Sequence, residues 1–235
     1  KVNLMIYILA AFSYAISIFI DISVYHLKYY INDNKNVRYL LSLINIFQYS
    51  ARAFVLIFIP IMAFITESIK DKNLVWNITF LAHFFVIILL IPLFFRKFSS
   101  YLSIKVIEIL NFIFGKSKKI NINKSQIQNS FLVEKSLFNL ENIFFFIVTF
   151  IAGFLFSISI TFLYFLSFSF PQKALMLSSF TQIINMFGSL ILILFIDPKI
   201  MSSIDNEKGY NEIVLLTISR VSVHVVLVVL LLIIK

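Results

Sequence analysis

The chain has 235 residues, 60% of them hydrophobic and 13% charged, with a formal net charge of +9 and no cysteine. A mean hydropathy of +0.97 excludes an ordinary water-soluble domain, and the lack of cysteine excludes disulfides, thiolate metal sites and cysteine nucleophiles. The basic residues lie between apolar runs, where they serve topology and contacts to anionic membrane lipids, so no nucleic-acid partner is expected.

About 20 apolar residues cross a hydrocarbon core roughly 30 Å thick. Six segments meet that length, at about 4–30, 38–66, 74–95, 142–170, 172–196 and 212–234. The prediction is an all-α polytopic protein with one transmembrane domain, 1–235, and no visible short internal repeat.

The first segment has no small-residue cleavage site and runs on into Asp21, so it reads as a span and not as a signal peptide. Asp21, Tyr25 and Lys28 follow i, i+4, i+7 and share one helical face, with His26 off it. In the second segment Asn45, Gln48 and Arg52 follow i, i+3, i+7. The third carries a lone His83, read as a hydrogen-bonded packing residue. The connection 96–141 is the longest and most basic. Within it Phe98, Leu102, Val106, Ile109, Leu110 and Ile113 form one stripe, with Lys105, Glu108 and Asn111 opposite. That pattern predicts an amphipathic helix in the interface plane; the alternative is a cytoplasmic extension of the third helix packed on nothing. Gly115, Lys116 and Ser117 lack the upstream glycine and strand of a phosphate loop, so no ATP site is expected.

The fourth segment is nearly free of charge. The fifth carries Ser178, Gln182, Asn185 and Ser189 as a polar stripe and ends at Asp197–Pro198. Proline lacks an amide hydrogen and disfavours helix at the residue before it. The helix is therefore predicted to end by Asp197, whose carboxylate would cap the turn at 199–203, with direct contact to substrate as the alternative. In the sixth segment Arg220 and His224 stand one turn apart.

Orientation follows from Lys and Arg. Lys28, Lys35, Arg38, Arg96, Lys97, Lys105, Lys116, Lys118, Lys119, Lys124, Lys135, Lys199 and Lys208 fall on one side; Lys1, Lys70, Lys72, Lys173 and Lys235 fall on the other. The excess puts the long loop in the cytoplasm.

A charge at the bilayer centre costs about 2.5–3.5 kcal/mol on insertion scales, so intramembrane charges face a partner or a wet cavity. Two readings stand. In one, Asp21 pairs with an arginine and the amides tie helices together as a static network. In the other, Arg52 and Arg220 outnumber Asp21, and the surplus cation calls for an anion such as phosphate, which suits the guanidinium fork. On the second reading Arg52, Arg220, Lys28, Asn45, Gln48, Gln182, Asn185 and His224 bind substrate, and Asp21 is the coupling group whose protonation frees an arginine. The three histidines are isolated, and no paired acid or zinc motif is present. No enzyme activity, metal or cofactor is expected.

With these residues placed, the chain resembles the Amj family of bacterial lipid II flippases, the alternates to MurJ. The stretch from Pro171 to Ile200 is similar to that family's Pro–x–x–Arg turn, its Ser- and Asn-bearing helix and its Asp–Pro end, matched by Lys173, Asn185 and Asp197–Pro198. Leu41 to Asn45, Arg52 and Pro60 match a second segment. Asp21, Tyr25 and Lys28 stand where the family has Glu, Tyr and Arg, and Pro92 and Ser219–Arg220 also fit. The chain departs at Ile18, Val55 and Met186, where the family has His, Asn and Gly, and in the last helix. The resemblance implies a multi-pass protein of the bacterial inner (cytoplasmic) membrane. Its activity would be to move a polyprenyl-diphosphate-linked precursor outward for peptidoglycan and cell-wall synthesis, as one subunit or a homodimer, with no cofactor. The alternatives are a non-transporting scaffold or accessory subunit and a small-solute secondary transporter.

Overall fold

The computed structural model describes residues 4–30, 37–114, 139–206 and 209–234, and the described residues contain no strand. The basic stretch 115–138, with Gly115, Lys116 and Ser117, lies outside them. The helices are α1 (Leu4–Tyr30), α2 (Val37–Phe64), α3 (Lys72–Leu90), α4 (Arg96–Phe114), α5 (Leu140–Ser169), α6 (Ala174–Ile191), α7 (Asp197–Asp205) and α8 (Tyr210–Ile234). Among the described residues six stretches are long and apolar enough to cross a membrane: Met5–Tyr30, Arg38–Ile69, Lys72–Phe94, Leu140–Phe168, Met176–Asp205 and Tyr210–Ile234. The protein is an all-α, multi-pass membrane protein.

Local signals set the ends. α2 runs into a π turn, Ile65–Ile69, and stops at Lys70, whose φ of 55° is left-handed. Asp71 then caps α3 by accepting a hydrogen bond from the Leu74 amide at 3.1 Å. Asn139 caps α5 in the same way, on the Asn142 amide at 2.7 Å.

The fifth span corrects one expectation. Its helix does not end at Asp197. α6 passes through a π turn, Leu192–Ile196, in which the Asp197 amide reaches back five residues to the Leu192 carbonyl, and then continues as α7. The wider turn makes room for the Pro198 ring, which would otherwise press on the preceding turn, and Pro198 sits in the first turn of α7, where no amide hydrogen is needed. Asp197 has helical φ/ψ and caps nothing.

α4 forms where the amphipathic stripe was read, but its alternative reading fails. Phe95 is extended, which breaks α4 from α3, and α4 packs on α1 and α2. Its protein side is Ser99, Ser103, Ile107 and Leu110, while Ile109, Phe112 and Ile113 stay exposed. Asn111 is not on the outer face as expected, because it accepts a hydrogen bond from Tyr39 of α2 at 2.7 Å. Lys105 and Glu108 do face out, and pair at 2.7 Å.

Packing is layered. α3 and α8 meet at the centre, α1 lies on α3, α5 lies on α8, and α2 and α6 are outermost, against α1 and α5. Lipid tails are as apolar as leucine, so close packing and hydrogen bonds hold such a bundle together in place of the hydrophobic effect. Tyr14, Phe58, Ile78, Val86, Leu216 and Leu231 are among the fully buried side chains at the centre.

Candidate functional site

A cavity of about 450 Å³ lies inside the bundle, off centre between the α1–α2 and α5–α6 layers. Four helices build most of its wall. α1 supplies Tyr14, Ser17, Asp21 and Tyr25, one continuous face at three- and four-residue steps. α2 supplies Asn45, Gln48, Tyr49 and Arg52. Phe156 and Ile160 come from α5, and Ser189, Leu192 and Ile193 from the end of α6 and its π turn. Asp197 of α7 and Arg220 of α8 complete it.

The two arginines sit differently. Arg220 is buried, with 6% exposure. Its guanidinium lies against the α5 backbone at Gly153, where a Cβ would fall 3.1 Å from Arg220 Cδ and Cζ and nearer still to Nη1. Its Nε is buried without a hydrogen-bond partner, and its Cζ lies 5.9 Å from the Phe156 ring centre. Arg52 is open to the cavity, with Cζ 5.0 Å from the Tyr49 ring centre. Among the described residues neither arginine comes within ion-pair distance of a carboxylate, and the ion pairs are Lys105–Glu108 and Lys199–Glu141. The expected Asp21–arginine pair is therefore not formed.

Asp197 changes the charge count. It enters the cavity and accepts a hydrogen bond from Tyr25 at 2.6 Å. With Asp21 it balances Arg52 and Arg220 formally, so the expected surplus of cation is absent. What remains is four full charges on one wall, with both guanidinium groups unpaired.

Of the residues expected to bind substrate, Arg52, Arg220, Asn45 and Gln48 are brought together here with Asp21. Lys28 is not on the wall; its ammonium lies 5.0 Å from the Tyr25 ring centre. The α6 stripe is divided: Ser189 lines the cavity, Asn185 accepts a short hydrogen bond from Ser159 of α5, and Gln182 is exposed elsewhere. His224 faces away and meets His83 of α3, Nδ1 to Nδ1, at 2.9 Å. That pairing bears out His83 as a hydrogen-bonded packing residue and removes His224 from the site. Sequence reasoning missed Tyr14, Tyr49 and Gly153, and favoured a cap over a place in the cavity for Asp197. Tyr14 was findable, because it extends the Asp21 stripe by two turns. Gly153 was marked by rarity, as one of 4 glycines and, with Gly188, one of two set within long uncharged runs.

The arrangement can hold an anionic group by two guanidinium forks with amide and phenol donors around it. Among the described residues no group of three or more His, Cys, Asp or Glu could hold a metal ion. No family model matches this chain, and no match was found for it among curated proteins or solved structures.

Proposed function

We propose that the protein is a lipid flippase that moves a polyprenyl-diphosphate-linked cell-wall precursor, lipid II-like, across the bacterial cytoplasmic membrane, and that Arg52 and Arg220 bind its phosphates. The observation that carries this reading is the pair of unpaired guanidiniums on an intramembrane cavity whose outer helices, α2 and α6, share no packed seam. A lipid needs both features: a polar pocket for the phosphates and a sideways exit for the tail. A cavity of about 450 Å³ is within the range of roughly 300–1,000 Å³ usual for small-ligand sites. It suits the diphosphate and the sugar next to it, with the tail left in lipid between α2 and α6. The motif resemblance from Pro171 to Ile200 and around Arg52 points the same way. A static scaffold would pair its buried charges, because an unpaired charge in low dielectric is costly.

The test is reconstitution into liposomes carrying a fluorescent polyprenyl-diphosphate sugar, with an impermeant quencher added outside. Protein-dependent equilibration of the two leaflets, lost in a double Arg52→Ala/Arg220→Ala variant that still folds, supports the reading. Equal rates with and without protein overturn it.

A further inference from the structure

Three spans precede α4 and three follow it, and α4 is not itself among the stretches able to cross. An odd number of crossings makes the second trio enter the membrane from the side opposite the first. The packing of the two trios is the same: α2 on α1 on α3, and α6 on α5 on α8, with α3 against α8. The cross-contacts also match, since α1 touches α8 as α5 touches α3.

A residue-level register runs through both halves. His83 and His224, 141 positions apart, meet through the same atom, Nδ1 to Nδ1, as two copies of one residue do across a two-fold axis. Moved by the same 141, every buried residue of α3 lands on a buried residue of α8: Val75 on Leu216, Ile78 on Ser219, Thr79 on Arg220, and so on through Leu90 on Leu231. The other helices follow nearly the same shift. Tyr25 of α1 donates to Asp197 at 2.6 Å, and Tyr164 of α5 donates to the Ile59 carbonyl of α2 at 3.3 Å. Tyr164 is 139 positions after Tyr25, and Asp197–Pro198 is 138 after Ile59–Pro60. Ser17 and Phe156, and Asp21 and Ile160, are related by 139 as well, and all four line the cavity.

We propose that the chain is an inverted three-plus-three repeat with its pseudo-two-fold axis between His83 and His224, and that Tyr25–Asp197 and Tyr164–Ile59 are equivalent gates on its two sides. Inverted repeats of this kind let a carrier expose one midplane site to each side in turn, because the halves exchange conformations. The two sides differ here. The cavity lies on the Tyr25 side, while on the Tyr164 side Phe58 fills the space, 6.3 Å from the Tyr164 ring. Both hydrogen bonds are made, so the present conformation is closed at each gate; release of the Tyr25 gate opens the existing cavity to one side, and release of the Tyr164 gate opens its counterpart to the other. This inference rests on the cavity being a transport site but not on which lipid it carries.

The chain has no cysteine, so spin labels can be placed at will. One labelled pair, Lys28→Cys with Ser202→Cys, spans the Tyr25 gate; its counterpart moved by 139, Ser167→Cys with Ala63→Cys, spans the other. In lipid nanodiscs, Tyr25→Phe is expected to lengthen the first distance by about 5 Å, one helical turn, and to leave the second short; Tyr164→Phe is expected to do the reverse. If Tyr25→Phe does not fold, Asp197→Asn weakens the same gate and carries the same expectation. Distances that move together, or that stay fixed in all variants, overturn the proposal. Reciprocal distances in a protein that flips no lipid sustain the repeat and sink the lipid reading; flipping with fixed distances does the opposite.

Discussion

One turn of α8 separates two ways of placing polar groups inside a membrane. At His224 the side chain is buried and meets His83 at 2.9 Å, with Tyr14 packed edge-on to both rings. At Arg220 the guanidinium is also buried; its Nε has no partner, as is true of the Nε2 of both histidines, and among the described residues no carboxylate is in reach of it. The histidine seam holds the two halves together. The arginine waits on a cavity wall for a ligand to complete it. The two places thus divide by what the polar group faces: the imidazoles share one hydrogen bond across a closed helix seam, and the guanidinium opens on a cavity.

The sharpest break in that comparison is transport against stability. Arg52→Ala and Arg220→Ala are each expected to slow flipping by about 10- to 100-fold, the equivalent of about 1.5–3 kcal/mol for hydrogen bonds to a charged partner. Lys replacements keep the charge but lose the fork and should fall between. Melting temperatures of the Ala variants in detergent should stay at or above that of the parent, because Arg220→Ala removes an unsatisfied buried donor. A lower melting temperature with unchanged flipping would make the arginines structural.

The seam should behave the other way. His83→Ala and His224→Ala each take the one partner from the opposite Nδ1, beside an Nε2 that already lacks one, and are expected to destabilise by about 1–3 kcal/mol. As related positions they should cost alike, and the double variant less than the sum. Chemical unfolding of the four proteins measures this. Strict additivity would mean that the 2.9 Å contact contributes nothing.

Gly153 tests how closely the cavity depends on its backing. Alanine is the better helix former by about 1 kcal/mol, so Gly153→Ala should not lower stability. Its Cβ would nevertheless crowd Arg220 at 3.1 Å and closer, turning the guanidinium away from the cavity. Flipping is expected to fall about 10-fold, since small misplacements of a binding group cost much. An unchanged rate would show that Arg220 finds its position without that cradle.

Much of this was legible in the sequence for a simple reason: lipid demands runs of apolar residues, and any charge within them stands out. The six spans, and the meeting of Asp21, Arg52, Asn45 and Gln48 with Arg220, follow from that contrast. Helical phase alone misplaced the rest. Gln182 and His224 share a sequence stripe with residues that do point inward, but α6 is peripheral and packs chiefly on α5, which leaves Gln182 exposed, while central α8 is enclosed by several neighbours and turns His224 to α3. The repeat was hidden because lipid-facing positions need only be apolar and drift freely. What survives is burial register along α3 and α8, visible only once burial is known.

Asp197 shows the clearest failure and gives the finest test. Pro198 argued for a helix end, and a carboxylate at a helix end argued for a cap; the π turn removed the first premise and Tyr25 replaces the second. If Asp197 acts through Tyr25, the two residues form one unit. Tyr25→Phe and Asp197→Ala should each cost about 1 kcal/mol, and the double variant scarcely more than either single one. Asp197→Asn keeps an acceptor without charge and should cost less than Asp197→Ala. A capping carboxylate would predict additivity instead, since a cap on the 199–203 turn is indifferent to a phenol on α1. The cycle, measured by chemical unfolding in detergent, separates the two accounts by the sign of a single comparison: a coupling energy near zero restores the cap, and one near the value of the hydrogen bond assigns Asp197 to the cavity gate.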